Sequence, residues 1–273
     1  MTDEWSLDPH SEQAAEIRSD VPHAARVWNY WMGGKDNYEV DRAAGDAWIE
    51  VYPDIVFLTK RSRQFLIRAV RFLAGEAGIR QFLDIGTGLP TMQNTHEVAQ
   101  QIAPESRIVY VDNDPLVLAH ARALLHNTTS QGVTTYVDAD FHNPELIISD
   151  ARNVLNFSQP IAVMFMGVLG LVADVEEMHS IVARVMSAVP SGSYLALWDS
   201  TDTDEAYCEA AANYGETGAI PYLLRSPEQL RQCFAGLEMV DPGFVQITRW
   251  RPDTATVGMA KPIDAYGAVA RKP

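Results

Sequence analysis

The 273-residue sequence is poor in cysteine, in positive charge and in long apolar runs. Only Cys208 and Cys233 occur, in no metal-ligand or redox spacing, so neither a disulfide framework nor a metal site is expected. That usage fits a reducing, cytoplasmic compartment. Lys and Arg total 21 against 36 Asp and Glu, a formal charge of −15. A field of that sign repels phosphate backbones and anionic lipid, so neither nucleic acid nor membrane is expected as a partner. Arg61, Arg63, Arg68 and Arg71 are close enough for a local basic patch, but they read as the solvated face of a helix. The longest apolar run, Ile161 to Ala173, is too short for a membrane span and carries two glycines. The first ten residues, MTDEWSLDPH, are acidic and lack the apolar centre of a secretory signal.

What is present is alternation. From Gln81 onward, short apolar runs (RQFLDI, RIVYVD, VTTYVDAD, IAVMFMG, SYLALWD) are separated by helical patterns. Nearly continuous apolarity over so few residues marks strands covered on both faces of a parallel sheet. Between them, PTMQNTHEVAQQI is expected to start a helix at Pro90, and DPLVLAHARALLHN to start one after Asp114, with Leu118, Ala121 and Leu125 on one face. DVEEMHSIVARVMSAV carries acids in its first turn and Ile181, Val185 and Val189 on one face. Two runs near the end, FVQITRW and DAYGAVA, have no room for a helix between them and are expected as an antiparallel hairpin at a sheet edge. The fold class is therefore α/β: a doubly wound, seven-stranded, mostly parallel sheet with an antiparallel last strand. Residues 1–75 are helical in pattern and rich in Arg and aromatics, and they read as an N-terminal helical cap or lid on a core of residues 76–273.

The sharpest motif is FLDIGTGLPT, a strand turning through Gly86-Thr87-Gly88 toward a helix. Glycine there allows positive φ and close approach of a ligand. A dinucleotide fingerprint would need Gly or Ala at position 91, where Thr91 stands, and Asp84 would repel a pyrophosphate. A carboxylate at Asp84 instead suits a cationic ligand, an ammonium or a sulfonium. Asp112, ending the second strand, can accept from both hydroxyls of a ribose. Asp140, just past the third, can accept from an adenine amino group while the Phe141 N–H donates to the ring. A P-loop is rejected for Gly34-Lys35, because Asn29 occupies its required glycine and Asp36 follows the lysine.

LDIGTG followed by VYVDNDP and DADF resembles the S-adenosylmethionine-dependent methyltransferases of the Rossmann-like fold. ARVWNYWMGGKDNYEVDR, FLDIGTGLPTMQNTHEVAQ and TRWRPD resemble one actinobacterial branch of unknown substrate. The resemblance implies S-adenosyl-L-methionine as cofactor. It places Asp84, Gly86, Thr87 and Gly88 around the methionine part, Asp112 and Asn113 at the ribose and adenine, and Asp140 and Phe141 at the adenine edge. The loop after strand four, from Met166 and Gly167 to Leu169, would line the sulfonium. The implied activity is in-line methyl transfer to a small-molecule acceptor; a sensor or binding module that holds the cofactor without transferring is the alternative. Pro90 stands where the superfamily often has a third glycine, and GVLGLVAD lacks the histidine often found after strand four. No catalytic base is assigned among His23, His96, His126, His142 and His179: His96 reads as support for its helix and His179 as solvated.

The segment WNYWMGGKDNYEVD is expected to cover the bound cofactor; the alternative is that its aromatics only dock the cap onto the main domain while GGKDN is a turn. Tyr30 would lie on a lid hinged at Gly33 and Gly34, with Asp36, Asn37 and Tyr38 facing the ligand. Gly33→Pro would then damage turnover more than stability.

Overall fold

The computed structural model describes residues 17–90, 93–124, 127–253 and 261–273. Thr91, Leu125, His126 and the acidic first ten residues lie outside the described residues. The five expected parallel strands are β1 (Gln81–Ile85), β2 (Arg107–Asp112), β3 (Val133–Asp138), β4 (Ala162–Met166) and β5 (Tyr194–Ser200). β1 is buried along its whole length, as a run apolar on both faces requires. Side chains alternate between two cores: Phe82, Ile108 and Met164 point to one face, Leu83, Val109 and Val163 to the other.

Strand order is β3-β2-β1-β4-β5, continued by the C-terminal strands β8 (Ala265–Arg271) and then β6 (Glu238–Met239). The chain works outward from β1 to β3 and then returns to β4 on the other side of β1. This reversal opens a crevice above the carboxyl ends of β1 and β4, where open α/β sheets bind ligands.

The last strands differ from the expectation. Among the described residues eight strands form rather than seven, because β6 (Glu238–Met239) and β7 (Val245–Gln246) are two short pieces, both paired with β8 (Ala265–Arg271). β8 is antiparallel to all its neighbours and lies inside the sheet beside β5, not at its edge. Of the FVQITRW run, Val245–Gln246 forms strand, Ile247 N still donates to Ala265 O (3.1 Å), and Arg68 holds the carbonyls that follow: Nε donates to Trp250 O (2.9 Å) and Nη2 to Ile247 O (2.6 Å). Trp250 turns inward and packs edge-on against Phe65.

Helices α1 (Ala24–Trp31), α2 (Glu39–Val51) and α3 (Ile55–Arg71) precede the sheet, and α3 runs on into a π-helical turn at Phe72–Glu76. Their apolar side chains, Val27, Trp48, Phe65 and Leu73 among them, join the core of Phe82 and Ile108. The helix expected from Pro90, α4 (Thr95–Ile102), begins five residues later, at Thr95. Its start is fixed by a capping box in which Glu97 Oε2 accepts from Asn94 N at 2.7 Å. Asp114 caps α5 (Pro115–Leu124) as expected, accepting from Leu116 N at 2.6 Å. α6 (Pro144–Ala151), α7 (Val175–Ala188), α8 (Glu205–Gly215) and α9 (Pro227–Gln232) complete the order. Ile181, Val185 and Val189 are buried as their spacing predicts. Among the described residues no helix is long and apolar enough to cross a membrane.

Candidate functional site

Gly86 ends β1 with φ +73°, and its N–H donates to Val111 O (2.8 Å), so the turn is tied to β2. A Cβ on Gly86 would lie 2.4 Å from the Val168 side chain. Only glycine fits there on both counts. Gly88 follows at φ +67°, and its N–H donates to Asp112 Oδ2 at 2.7 Å. Asp112 Oδ1 accepts from Asn113 N (2.9 Å) and Asp114 N (3.1 Å). A carboxylate offers about four lone-pair sites, so Asp112 retains capacity for a further donor. Burial raises its pKa, while the N–H groups of Asp114 and Gly88 pull it back.

Asp84 is buried beneath this turn and accepts from Thr95 Oγ1 at 2.7 Å. Burial pushes its carboxyl up to about 6, opposed by the Thr95 hydroxyl and the Arg63 guanidinium. At the next strand, Asn113 Nδ2 donates to Asp140 Oδ2 (3.2 Å), and Asp140 Oδ1 accepts from His142 N at 2.9 Å. The Phe141 and His142 rings sit 4.5 Å apart. Gly167, after β4, has φ +78°, and a Cβ there would meet Trp198 at 2.5 Å.

All ten of the expected cofactor residues, Asp84, Gly86, Thr87, Gly88, Asp112, Asn113, Asp140, Phe141, Met166 and Gly167, line a single cleft of about 220 Å³. The N-terminal group behaves differently. Trp28, Asn29 and Trp31 line the cleft, while Tyr30, Gly33, Gly34, Asp36, Asn37 and Tyr38 do not. Tyr30 points to the far side of α1, where its hydroxyl donates to Asp46 Oδ1 at 2.6 Å.

The GGKDN stretch is a tied turn. Asn29 Oδ1 accepts from Asp36 N (3.0 Å) and Asn37 Nδ2 (2.9 Å), and Gly33 N donates to Tyr30 O (2.8 Å). Tyr38 N donates to Asp41 Oδ2 at 2.8 Å, which starts α2. Lys35 is exposed. The cap does reach across to α5: His23 Nδ1 lies 2.9 Å from Asp114 Oδ2, and His120 Nε2 lies 3.5 Å from Asp36 Oδ1.

Of the other histidines, His96 is buried with its N–H and Nδ1 both at Tyr110 Oη, so the first turn of α4 is satisfied within the fold. His179 is not simply solvated; its Nε2 lies 2.8 Å from Gln229 O. The basic patch disperses in the same way. Arg61 sits over Phe57, Arg68 holds the Trp250 loop, Arg71 is exposed, and Arg63 lines the cleft near Asp84. Arg63 is thus a site residue that sequence reasoning assigned to solvent. The signal was its place on α3 between Ser62 and Leu66, which line the same cleft. Trp198 and Tyr222 were also missed, and Tyr222 follows a turn with no periodicity to mark it.

The arrangement offers a buried anion next to a cation, a backbone loop of positive φ, and two carboxylates at neighbouring strand ends. These suit the ammonium and carboxylate of an amino acid, close backbone approach, and a nucleoside, so the residues present fit S-adenosyl-L-methionine. A family model described as S-adenosyl methyltransferase matches residues 10–273. A crystal structure of a DUF574 family protein from Streptomyces avermitilis MA-4680 is 42% identical, with a TM-score of 0.90, and the match covers 94% of this chain and 100% of that one. A candidate methyltransferase from Thermobifida fusca YX is 38% identical, with a TM-score of 0.84, over 94% of this chain and 97% of that one. No curated protein matches the chain. With the family model spanning nearly the whole length, the chain belongs to the S-adenosyl methyltransferase family, as an enzyme whose methyl donor is S-adenosyl-L-methionine.

Proposed function

We propose that the protein methylates a small, partly apolar acceptor, and that residues 1–75 cover the donor on the core formed by residues 76–273. The observation that carries this reading is the cleft itself. It is about 220 Å³, and past the donor-binding residues it is walled by Trp28, Trp31, Trp198 and Tyr222. A wall of aromatic rings at that end favours a compact, partly apolar acceptor over a macromolecular segment. The formal charge of −15 further disfavours nucleic acid. The sparse, unpaired cysteines support a cytoplasmic setting.

In this reading Asp84 takes the ammonium of the donor and Arg63 its carboxylate. Asp112 accepts from the ribose, and Asn113, Asp140 and Phe141 receive the adenine. When bound, the donor supplies a methyl group on a positively charged sulfur, already activated for displacement. The contribution of the chain is alignment and exclusion of water, and alignment alone is worth about 7–11 kcal/mol in favourable cases. Met166, Gly167 and Trp198 form the floor where the acceptor would meet the methyl, and α1 forms the roof through Trp28. The Trp28 and Trp198 rings pack with centroids 5.9 Å apart, which ties α1 to the end of β5.

The test is transfer of labelled methyl from S-adenosylmethionine into an actinobacterial extract separated by size. Label in the low-mass fraction is the expected result. Label confined to protein or nucleic acid would overturn the small-acceptor reading.

A further inference from the structure

Tyr222 sits in the acceptor half of the cleft, and its hydroxyl donates to Asp199 Oδ1 and lies 3.2 Å from Gly167 O. Its ring lies in a slot that only glycine leaves open, since a Cβ on Gly170 would come within 2.7 Å of Tyr222 Cζ. Leu223 N donates to Gly170 O at 2.7 Å and holds this loop to the end of β4. Asp199, near the end of β5, is only 1% exposed. Its Oδ1 also accepts from Ser200 N (2.8 Å), and its Oδ2 from Leu169 N (2.8 Å) and Gly170 N (3.2 Å). Among the described residues Asp199 forms no ion pair, and its hydrogen-bond partners are the Tyr222 hydroxyl and these backbone N–H groups. A buried carboxylate without a counter-ion is costly, and here it is joined to the cleft through a single phenol.

We propose that Tyr222 takes the proton of the methyl acceptor and that Asp199, as its positioning partner, receives the proton Tyr222 gives up. This rests on reading the cleft as the donor and acceptor site. As the acceptor atom forms its bond to the methyl carbon, the S–CH₃ bond breaks and its electron pair stays on sulfur. The acceptor's proton moves to Tyr222 Oη, and the Tyr222 proton moves to Asp199 Oδ1, which becomes a neutral acid and later releases the proton to solvent.

Two electrostatic features support the pairing. Burial first, then the Asp199 charge, raises the Tyr222 pKa, so a phenolate is not stored and the phenol must pass a proton on as it receives one. Burial also pushes Asp199 up to about 6, with Tyr222 and the backbone N–H groups pulling back, so it is a better proton acceptor than an exposed carboxylate. It follows that the acceptor atom carries a proton, as a hydroxyl or N–H does, and is not a thioether or tertiary amine.

The test is labelled methyl transfer from saturating S-adenosylmethionine into the low-mass fraction of an actinobacterial extract, followed against pH. Wild-type transfer should fall as pH drops through about 6, where Asp199 takes up a proton. Tyr222→Phe leaves every backbone bond to Asp199 in place; it should bind S-adenosylhomocysteine as the wild type does and lose transfer tenfold or more, and Asp199→Asn should lose the acid fall together with the rate. Transfer by Tyr222→Phe at the wild-type rate, or an acid fall unchanged in Asp199→Asn, would overturn the proposal. Calorimetry of S-adenosylhomocysteine on the same samples separates this from a misplaced donor site, because only the latter would abolish its binding.

Discussion

Asp84 and Asp112 are both carboxylates at strand ends, but their neighbours give them different work. Asp112 is held by three backbone N–H groups and keeps capacity for a further donor, which the proposed function assigns to a ribose hydroxyl. Asp112→Ala should therefore weaken S-adenosylhomocysteine binding by roughly 1–3 kcal/mol, on the order of tenfold to a hundredfold by calorimetry. Unchanged affinity would place the ribose elsewhere. Asp84 is governed by burial, which raises it from 3.8 to about 6. An acid whose pKa is raised on folding contributes stability that is full below about 3.8 and is lost as pH rises through about 6. In thermal melts without ligand, the advantage of wild type over Asp84→Asn should shrink across that window. Affinity for the donor should move the opposite way and rise with pH through about 6, because an ammonium needs the ionised carboxylate. Both aspartates were legible from sequence as ends of apolar runs beside a glycine turn. Arg63 was not, because a helical arginine is usually solvated and only the packing of α3 on the sheet turns this one inward.

At the scale of the element, the aromatic segment after His23 divides by helical periodicity. Trp28 and Trp31 face the cleft and each other at 5.8 Å, while Tyr30 faces α2. Gly33 is no free hinge: its φ is +80° and its N–H is bonded to Tyr30 O. Proline can adopt neither feature, so Gly33→Pro should cost about 3 kcal/mol or more in chemical denaturation, a loss of fold rather than of turnover alone. Gly33→Ala meets no atom within 4 Å and should cost only about 1–2 kcal/mol, for the left-handed backbone. A Gly33→Pro protein of wild-type stability would restore the hinge reading. The displaced start of α4 belongs to this scale as well. Pro90 is a good first helical residue, but the capping box of Asn94 and Glu97 captures the start instead.

For the whole molecule, the cap, the sheet and the cleft share one core, in which Val27, Trp48 and Phe65 pack with Phe82, Ile108 and Trp198. A ligand that bridges cap and sheet should stabilise all of it. At about 100 times its Kd, S-adenosylhomocysteine should add ~2.7 kcal/mol, which for a chain of this size raises Tm by roughly 5–10 °C. NAD should leave Tm unchanged. Equal shifts with both would show that the cleft does not discriminate by the charge at Asp84 and Arg63.

The order of apolar runs and helical patterns was enough to determine the parallel sheet, the glycine turn after β1, and the aspartates above it. Those features follow from local periodicity and from backbone angles that few residues adopt. The sequence alone did not decide where β8 enters the sheet, which face of α3 carries Arg63, or what Tyr222 touches. Each depends on groups far apart in the chain, as when Arg68 on α3 donates to the carbonyls of Ile247 and Trp250. Tertiary packing also joined Tyr222 to Asp199, two residues with no shared motif, at the wall of the cleft.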